Sequence, residues 1–287
     1  MALEQFVKRW REAAELHANY YDYLLDGRVT GLTGHWMTFG GEQMIVLLML
    51  LSFLLFARPS KWKIAGWVCA GFIWFAMVIG LTRSIFLLGV PVGVLSLAWN
   101  YRRWVVWAMP GLFFVFLLAA PGHIRERVIS VLHPHGEVDS NSRRVIMLRT
   151  GWEMIKAHPW FGVGPEQVGP QFANYVPPDV VRPLPKGWYG HLHNVYLQFA
   201  ADRGVPGLLC LLWLIGKIVR DLSHHLRSKA GEADARFVVC GALAVIAAVL
   251  AEGFFEHNLG DSEVLTMFLV AITCGYVVID PRRRLSV

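Results

Sequence analysis

Charged side chains are scarce in this sequence. Asp, Glu, Lys and Arg make up 17% of the 287 residues, whereas hydrophobic residues make up 55%. The mean hydropathy is +0.44. A chain this apolar is not an ordinary soluble domain, because it has too few polar groups to cover a water-facing surface. We therefore expect an integral membrane protein.

Several motifs of catalytic chemistry are also missing. The sequence contains no HExxH, no paired CxxC, no DxD carboxylate cluster and no GxxxxGK[ST] loop. These absences argue against a transition-metal site and against nucleotide-driven chemistry. Cysteine is rare too, and each cysteine lies inside an apolar run, so we expect buried thiols and no disulfide framework. The cysteines are Cys69, Cys210, Cys240 and Cys274.

What the sequence does contain is apolar runs long enough for a helix to cross about 30 Å of hydrocarbon. Their apolar residues continue all round the helix, as expected for segments surrounded by lipid and other helices. The runs are Met44–Ala57, Trp62–Leu81, Ile85–Trp99, Trp104–Ala120, Val205–Val219, Phe237–Phe255 and Val264–Ile279. The sequence thus predicts an all-α integral membrane protein with about seven transmembrane helices.

Basic residues are concentrated on one side of these runs. Lys and Arg clusters follow the first, third, fifth and seventh runs, which makes that side cytoplasmic by the positive-inside rule. The net charge of +6 is then explained by topology and not by nucleic-acid binding. The segment before the first run and the long polar segment between the fourth and fifth runs become extracytoplasmic.

This topology divides the chain into five segments. They are an extracytoplasmic amino-terminal segment (1–42), transmembrane helices one to four (43–121), an extracytoplasmic loop subdomain (122–192), transmembrane helices five to seven (193–280) and a basic cytoplasmic tail (281–287). The amino-terminal segment has no continuous apolar core, so no secretory signal is visible. Its Leu3, Phe6, Val7 and Trp10 recur at helical spacing, which predicts an amphipathic surface helix. An extracytoplasmic amino terminus without a preceding span suggests the carboxy-terminal part of a longer protein.

The loop subdomain is expected to be ordered. Asn141 or Ser142 is suited to cap a helix running from about Arg143 to Ala157. His158-Pro159 then ends this helix, and the Gly-Val-Gly-Pro sequence at 162–165 forms a turn. A loop this long is usually functional or disordered. Its tryptophans favour an ordered cap that lies against the membrane surface.

His191 and His193 lie where this loop re-enters the membrane, beside Asn194 and Tyr196. A lone histidine at a helix start is more often a cap or a packing residue. The N–H groups and partial positive charge of a helix N-terminus favour anions and disfavour an imidazolium. A neutral His193 that faces an anionic substrate is therefore suited to act as a general base. Two histidines alone do not make a metal site, which needs three or four convergent ligands.

Arginines form the second group of candidates. Arg83 lies between the second and third apolar runs on the extracytoplasmic side, against the positive-inside trend. Arg144 opens the loop helix, with Arg143 as an alternative register and Arg149 about one turn later. A guanidinium matches phosphate oxygens in a bidentate manner, so Arg83 and Arg144 are candidate diphosphate clamps. The alternatives are a snorkelling anchor for Arg83 and a solvated helix face for Arg144.

Two acids close the sixth apolar run. Glu252 and Glu256 are four residues apart, so a continuous helix would place them on one face. Acids inside a span are costly and are functional candidates by default. The alternative is a structural brace that pairs with an arginine of the loop.

The His-Asn-Val-Tyr-Leu element at 193–197, followed by Gly-Val-Pro-Gly-Leu at 204–208, resembles the O-antigen ligase and polymerase family of bacterial membrane glycosyltransferases. Three further elements resemble it as well: Thr-Arg-Ser at 82–84, the block from Arg144 to Gly164, and Phe254–Glu263. The resemblance covers residues 28–279. Members of the family typically have more spans than this chain shows.

The resemblance implies a GT-C-like glycosyltransferase of the bacterial inner membrane, with its active site on the periplasmic face. It implies transfer of a glycan from an undecaprenyl-diphosphate carrier to an acceptor hydroxyl, without a metal or another cofactor. His193 would take the acceptor proton, while Arg83 and Arg144 would stabilise the departing diphosphate. The remaining substrate-binding candidates are Arg143, Arg149, His191, Asn194, Tyr196, Glu252 and Glu256.

The sequence leaves the acceptor open. A lipid A core sugar would make the protein a ligase, another glycan repeat a polymerase, and a protein side chain an oligosaccharyltransferase. The alternative from another class is a transporter of lipid-linked sugars, whose charged residues would line a pathway. The repeated halves common in transporters are not apparent. An inactive fragment is a third alternative.

Overall fold

The structure is a computed structural model that describes residues 2–17, 23, 27–80, 82, 84–108, 111, 140–184, 189–227 and 233–280. Its α-helices are α1 (Ala2–Glu15), α2 (Trp36–Phe56), α3 (Trp62–Gly80), α4 (Val90–Tyr101), α5 (Ser140–Ala157), α6 (Val168–Tyr175), α7 (Val195–Arg227), α8 (Ala233–Glu252) and α9 (Ser262–Ile279). A π-helical turn, Ile85–Gly89, precedes α4, and a 3₁₀ turn, Asn258–Gly260, precedes α9. Within these described ranges there is no β-strand, in agreement with the predicted all-α class.

The chain forms two compact units. The helical unit comprises Met1–Tyr101, Lys217–Glu252 and Asn258–Val287. The loop unit comprises Arg102–Gly216 and Gly253–His257. Helix α7 begins in the loop unit and ends in the helical unit.

Three described helices, α2, α3 and α9, are long and apolar enough to cross a membrane. They correspond to the first, second and seventh predicted runs; α2 and α3 each end one residue before the predicted end. The third run corresponds to a shorter apolar helical stretch, Ile85–Tyr101. Helix α7 contains the fifth run and α8 most of the sixth. The described residues include only a small part of the fourth run, and they exclude residues 112–139 and the tail at 281–287. The count of seven spans therefore stays a prediction.

Helix α8 is the core element of the helical unit. It packs against α2, α4 and α9, and its small residues allow these neighbours to approach closely. A Cβ added at Gly241 would lie 2.7 Å from Sδ of Met49 on α2. Ser52 of α2 donates a hydrogen bond of 2.6 Å to the carbonyl of Phe237. Because that serine is fully buried, the bond satisfies a polar group that would otherwise destabilise the unit.

The cysteines differ in part from expectation. All four are free thiols, but only Cys240 is buried in the protein. The expectation of buried thiols is wrong for Cys69, Cys210 and Cys274, which are exposed on the protein surface. Position inside an apolar run does not distinguish a lipid-facing side from a protein-facing side, since both are apolar. The amino-terminal helix, in contrast, is confirmed as α1.

The loop unit has its own apolar core. Helix α5 ends at Ala157, immediately before the predicted His158-Pro159 stop, and it begins three residues earlier than predicted. Its buried side chains pack with α6 and with the first turns of α7. The cluster consists of Met147, Met154, Ile155, Val168, Phe172, Val176, Leu192, Ala200 and Ala201. Side-chain burial on this scale accounts for an ordered loop.

A backbone seam joins the turn after α5 to a kink in α7. The N–H groups of Val163 and Gly164 donate to the carbonyls of Ala201 and Asp202, at 2.7 and 3.1 Å. The N–H of Val205 donates to the carbonyl of Pro159 at 2.8 Å. The kink lies at Gly204, whose φ of 74° falls in the left-handed region. A Cβ at that position would collide with the backbone of Trp160, so both conformation and space require glycine there.

The seam yields a stability prediction. Gly204→Ala should destabilise the protein by at least about 2 kcal/mol, because it adds left-handed strain and a backbone collision. Loss of monodisperse protein after stepwise heating in detergent measures this. Gly216→Ala on the same helix is the matched control, since its added Cβ would have no heavy atom of the described residues within 4 Å apart from the adjacent backbone of its own helix. It should be neutral or slightly stabilising. Equal midpoints for the two variants would show that the seam does not need glycine.

Candidate active site

The site is built around the start of helix α7. Asn194 caps this helix: its side-chain oxygen accepts the N–H of Leu197 at 2.8 Å. The amide of Asn194 donates to the carbonyl of Phe254 at 3.1 Å. The N–H of Val195 donates to the carbonyl of Gly253 at 2.8 Å. These bonds hold the turn after α8 against the beginning of α7.

Because Asn194 provides the cap, His193 is not the capping residue. Its φ is 48°, in the left-handed region that few non-glycine residues adopt. Such backbone conformations are concentrated at functional sites. A buried network supports the segment: Gln198 accepts the N–H of Leu192 at 2.9 Å and donates to Asp202 at 3.0 Å. The side chain of His193 is therefore placed by its neighbours and is not needed for the cap.

His193 is paired with Glu256. Its Nδ1 lies 3.0 and 3.1 Å from the two carboxylate oxygens of Glu256. The side chain of Glu256 is 4% exposed and that of His193 is 16% exposed. An ionised carboxylate only accepts hydrogen bonds, so Nδ1 carries a proton and donates it to this bond. In the neutral ring, Nε2 then has its lone pair available to accept a proton.

The ionisation of Glu256 follows from its neighbours. Burial alone would raise its pKa, but the hydrogen bond from His193, together with the charge that this ring carries when it is protonated, outweighs burial and holds the pKa of Glu256 below its usual value. The N–H of His257 adds a hydrogen bond of 3.0 Å to the same carboxylate. The imidazole of His257 behaves in the opposite way, because burial lowers its pKa to about 4. At neutral pH the site thus contains an ionised Glu256 and a neutral His257.

His191 completes a group that could hold a metal ion by proximity alone. The ligand atoms of His191, His193 and Glu256 lie within 4.8 Å of one another. However, Nδ1 of His191 accepts the N–H of His193 at 3.1 Å. Its proton must therefore reside on Nε2, which faces Glu256 at 4.0 Å. Since a metal binds an unprotonated nitrogen, this arrangement favours a proton-handling cluster over a metal centre.

Aromatic side chains and an arginine lie beside this cluster. The ring of Tyr196 is 4.7 Å from that of Phe254. The guanidinium carbon of Arg144 lies 6.0 Å from the centre of the Phe255 ring, one residue before Glu256. Arg143 instead exerts its charge on Tyr189. The structure thus brings His191, His193, Asn194, Tyr196, Arg144 and Glu256 together in the loop unit.

Three predicted site residues are placed elsewhere or are not described. Arg149 makes an ion pair of 2.8 Å with Asp179, and both side chains are largely exposed. Glu252 belongs to the helical unit, where it is fully buried and accepts hydrogen bonds from Ser84 at 3.1 Å and from Asn258. Arg83 lies outside the described residues. Substrate contact by these three residues remains a prediction.

The expectation that Glu252 and Glu256 share a helix face is wrong. Helix α8 ends at Glu252, and Gly253–Phe255 form a turn before Glu256. The two acids consequently fall in different units. Gly253 directly after the last helical residue was an available signal for this end, since glycine commonly terminates helices. The direct pairing of Glu256 with His193 has no sequence signal, because 63 positions separate them.

Similarity to known proteins places the chain in a family. Residues 68–212, about half of the chain, match the O-antigen ligase family. The chain belongs to the O-antigen ligase family. The match includes Arg83, Arg144, His191 and His193 and ends before Glu256. No curated protein is similar enough to the chain to give a significant match.

Family membership defines the general role. It places the chain among membrane proteins of lipopolysaccharide biosynthesis and implies an O-antigen ligase-type glycan transfer. The apolar helices α2, α3 and α9 agree with a membrane location. The resemblance drawn from the sequence motifs is thereby confirmed.

Burial of His257 predicts a pH-dependent stability. The unfolded chain binds this proton near pH 6.5 and the folded chain only near pH 4. Stability should therefore fall as the pH drops from 6.5, with a slope that approaches about 1.4 kcal/mol per pH unit between the two pKa values. Thermal midpoints between pH 6.5 and about 5, above the range where most carboxylates titrate, measure this slope.

Two variants isolate the contribution of His257. His257→Gln should flatten the slope, because the variant has no buried imidazole to protonate. His158→Gln is the control for replacing a histidine of the same unit, since His158 is exposed and its ring is hydrogen-bonded to Tyr175. A slope unchanged in His257→Gln would rule out His257 as the titrating group.

Proposed function

We propose that this protein transfers a glycan from an undecaprenyl-diphosphate carrier to an acceptor hydroxyl at the extracytoplasmic face of the bacterial inner membrane. The observation that carries the proposal is the His193–Glu256 pair at the start of α7. Family membership supports the reaction class. The alternation of basic loops in the sequence supports the extracytoplasmic side.

In this mechanism His193 is the general base. Nε2 takes the proton of the acceptor hydroxyl as its oxygen attacks the anomeric carbon of the donor. The new C–O bond forms while the bond from that carbon to the diphosphate oxygen breaks, and the diphosphate leaves with the electron pair. Glu256 keeps Nδ1 protonated and stabilises the imidazolium as it forms, as the buried carboxylate does in a catalytic triad.

Arg144 and Arg83 are proposed to bind the diphosphate. Arg144 lies over the Phe255 ring, next to the residue that orients His193. A guanidinium at this location can accept the charge that develops on the leaving group, and it is already in place before the reaction. No metal is required for this stabilisation. Arg143 and Arg149 are less suited, because they engage Tyr189 and Asp179.

One assay identifies the acceptor and the type of transfer. Purified protein in proteoliposomes is given a lipid-linked glycan together with a lipid A core acceptor, a second lipid-linked glycan or a peptide acceptor. Covalent product on the lipid A core is expected for a ligase. Movement of the donor across the membrane without a new glycosidic bond would favour a transporter and overturn the proposal.

Variants of the pair test the base. His193→Ala should lower turnover by about 10²–10⁴-fold while donor binding changes little. Glu256→Gln should cause a smaller loss and move the acid limb of the rate–pH profile to lower pH, because an amide stabilises imidazolium less than a carboxylate does. His191→Ala should be milder than His193→Ala.

Three results would contradict this mechanism. Normal transfer by His193→Ala would rule out His193 as the general base. A loss explained entirely by reduced protein in the membrane would leave His193 as a structural residue. A rate–pH profile that is identical in wild type and Glu256→Gln would exclude the carboxylate from the proton transfer.

Arg144 gives a separate test of the diphosphate clamp. Arg144→Lys keeps the charge but loses the planar fork, so transfer should fall by about tenfold or more. The matched control is Arg182→Lys, in the same unit, whose exposed guanidinium donates to the backbone carbonyl of Ala173 at 3.4 Å. It should transfer at the wild-type rate. Wild-type activity in Arg144→Lys would indicate a generic cation, and in Arg144→Ala it would exclude Arg144 from the site.

A further inference from the structure

A basic cavity lies at the far end of α7, in the helical unit. Its volume is about 360 Å³, and it is lined by Lys217, Arg220, Asp221 and His224. The residues are spaced so that Lys217, Arg220 and His224 share one face of the helix. None of them belongs to the proposed active site. A cavity of this volume is within the range of small-ligand sites.

Asp221, the acid among the described residues that line the cavity, is already neutralised. Lys217 donates a hydrogen bond of 2.6 Å to Asp221, and the hydroxyl of Tyr276 on α9 donates to the same oxygen at 3.0 Å. The bond from Lys217 is the main reason that the pKa of Asp221 lies below its usual value. Arg220 and His224 stand outside this ion pair. The cavity therefore presents a permanent positive charge and a second donor to an incoming anion.

The position of the cavity along α7 indicates a membrane interface. Exposed side chains are apolar from Leu209 to Leu214 and include Trp213, which is 70% exposed. The basic residues begin at Lys217, three residues after Leu214 in the sequence. Tryptophan is enriched where hydrocarbon meets headgroups, and lysine and arginine extend from there towards water. The change from apolar to basic surface thus corresponds to the headgroup layer.

The geometry points to a phosphate-binding site, and we propose that its occupant is the headgroup of an anionic phospholipid. Arg220 would grip two phosphate oxygens through its planar fork. His224 would donate to a third oxygen. Basic pockets beside membrane helices bind anionic headgroups by this combination of charge and hydrogen bonding. The site is independent of the proposed glycan transfer, because its residues belong to neither the base nor the diphosphate clamp.

Lipid binding to the purified full chain tests the proposal. The protein in neutral detergent is titrated with phosphatidylglycerol, with phosphatidylcholine of the same acyl chains, and with inorganic phosphate. Native mass spectrometry counts the retained lipid, and the thermal midpoint reports stabilisation. Phosphatidylglycerol alone should bind saturably and raise the midpoint.

Variants locate the bound lipid. Arg220→Gln combined with His224→Gln should weaken phosphatidylglycerol binding by about fivefold or more. Arg220→Lys, which keeps the charge, should show a smaller loss of phosphatidylglycerol binding. This variant tests the site if the double variant does not fold. Arg227→Gln is the matched control, because it removes one exposed charge from the same helix outside the cavity. It should bind as wild type does.

Two results would overturn the assignment. Unchanged phosphatidylglycerol affinity in the double variant would place the lipid elsewhere. Saturation of the site by inorganic phosphate, with full displacement of the lipid, would identify a free anion as the occupant instead of a headgroup. Neither result bears on glycan transfer, which is measured separately.

Discussion

The loop unit is organised by the backbone seam between the turn after α5 and the kink in α7. Neither segment could form alone in a buried setting, because each leaves backbone N–H or carbonyl groups without helical partners. The seam pairs these groups with one another at 2.7 to 3.1 Å. Close approach of two backbones excludes side chains, which explains glycine at both 162 and 204. Helix α5, which carries Arg144, is thereby fixed to the helix that His193 precedes.

A second set of hydrogen bonds positions the carboxylate of Glu256. Val195 and Asn194 hold the carbonyls of Gly253 and Phe254, so Glu256 is brought to His193 by backbone geometry. The His193–Glu256 pair therefore does not depend on one long helix that presents both groups. It depends on the start of one helix being tied to the turn that follows another. Such a junction fixes the carboxylate more firmly than a flexible loop would.

Local features of the chain were predictable, whereas long-range pairing was not. The end of α5 followed from His158-Pro159, because proline cannot continue a helix. Apolar length predicted α2, α3 and α9. Short motifs indicate His193 and Arg144 as candidate site residues, and both lie in the loop unit. The partner of His193 could not be read from the sequence, since hydrogen bonding across 63 positions depends on the folded turn at Gly253 and not on any local period.

In the proposed reaction, the interaction between Glu256 and His193 changes in strength when His193 becomes protonated. The N-terminus of α7 carries partial positive charge, which stabilises a nearby carboxylate. Glu256 is ionised although it is buried, and its charge becomes most favourable when His193 is protonated. In the proposed reaction the carboxylate therefore interacts more strongly with the imidazolium formed during transfer than with the neutral ring. Catalysis requires this difference, because only an interaction that strengthens as the reaction proceeds lowers the barrier.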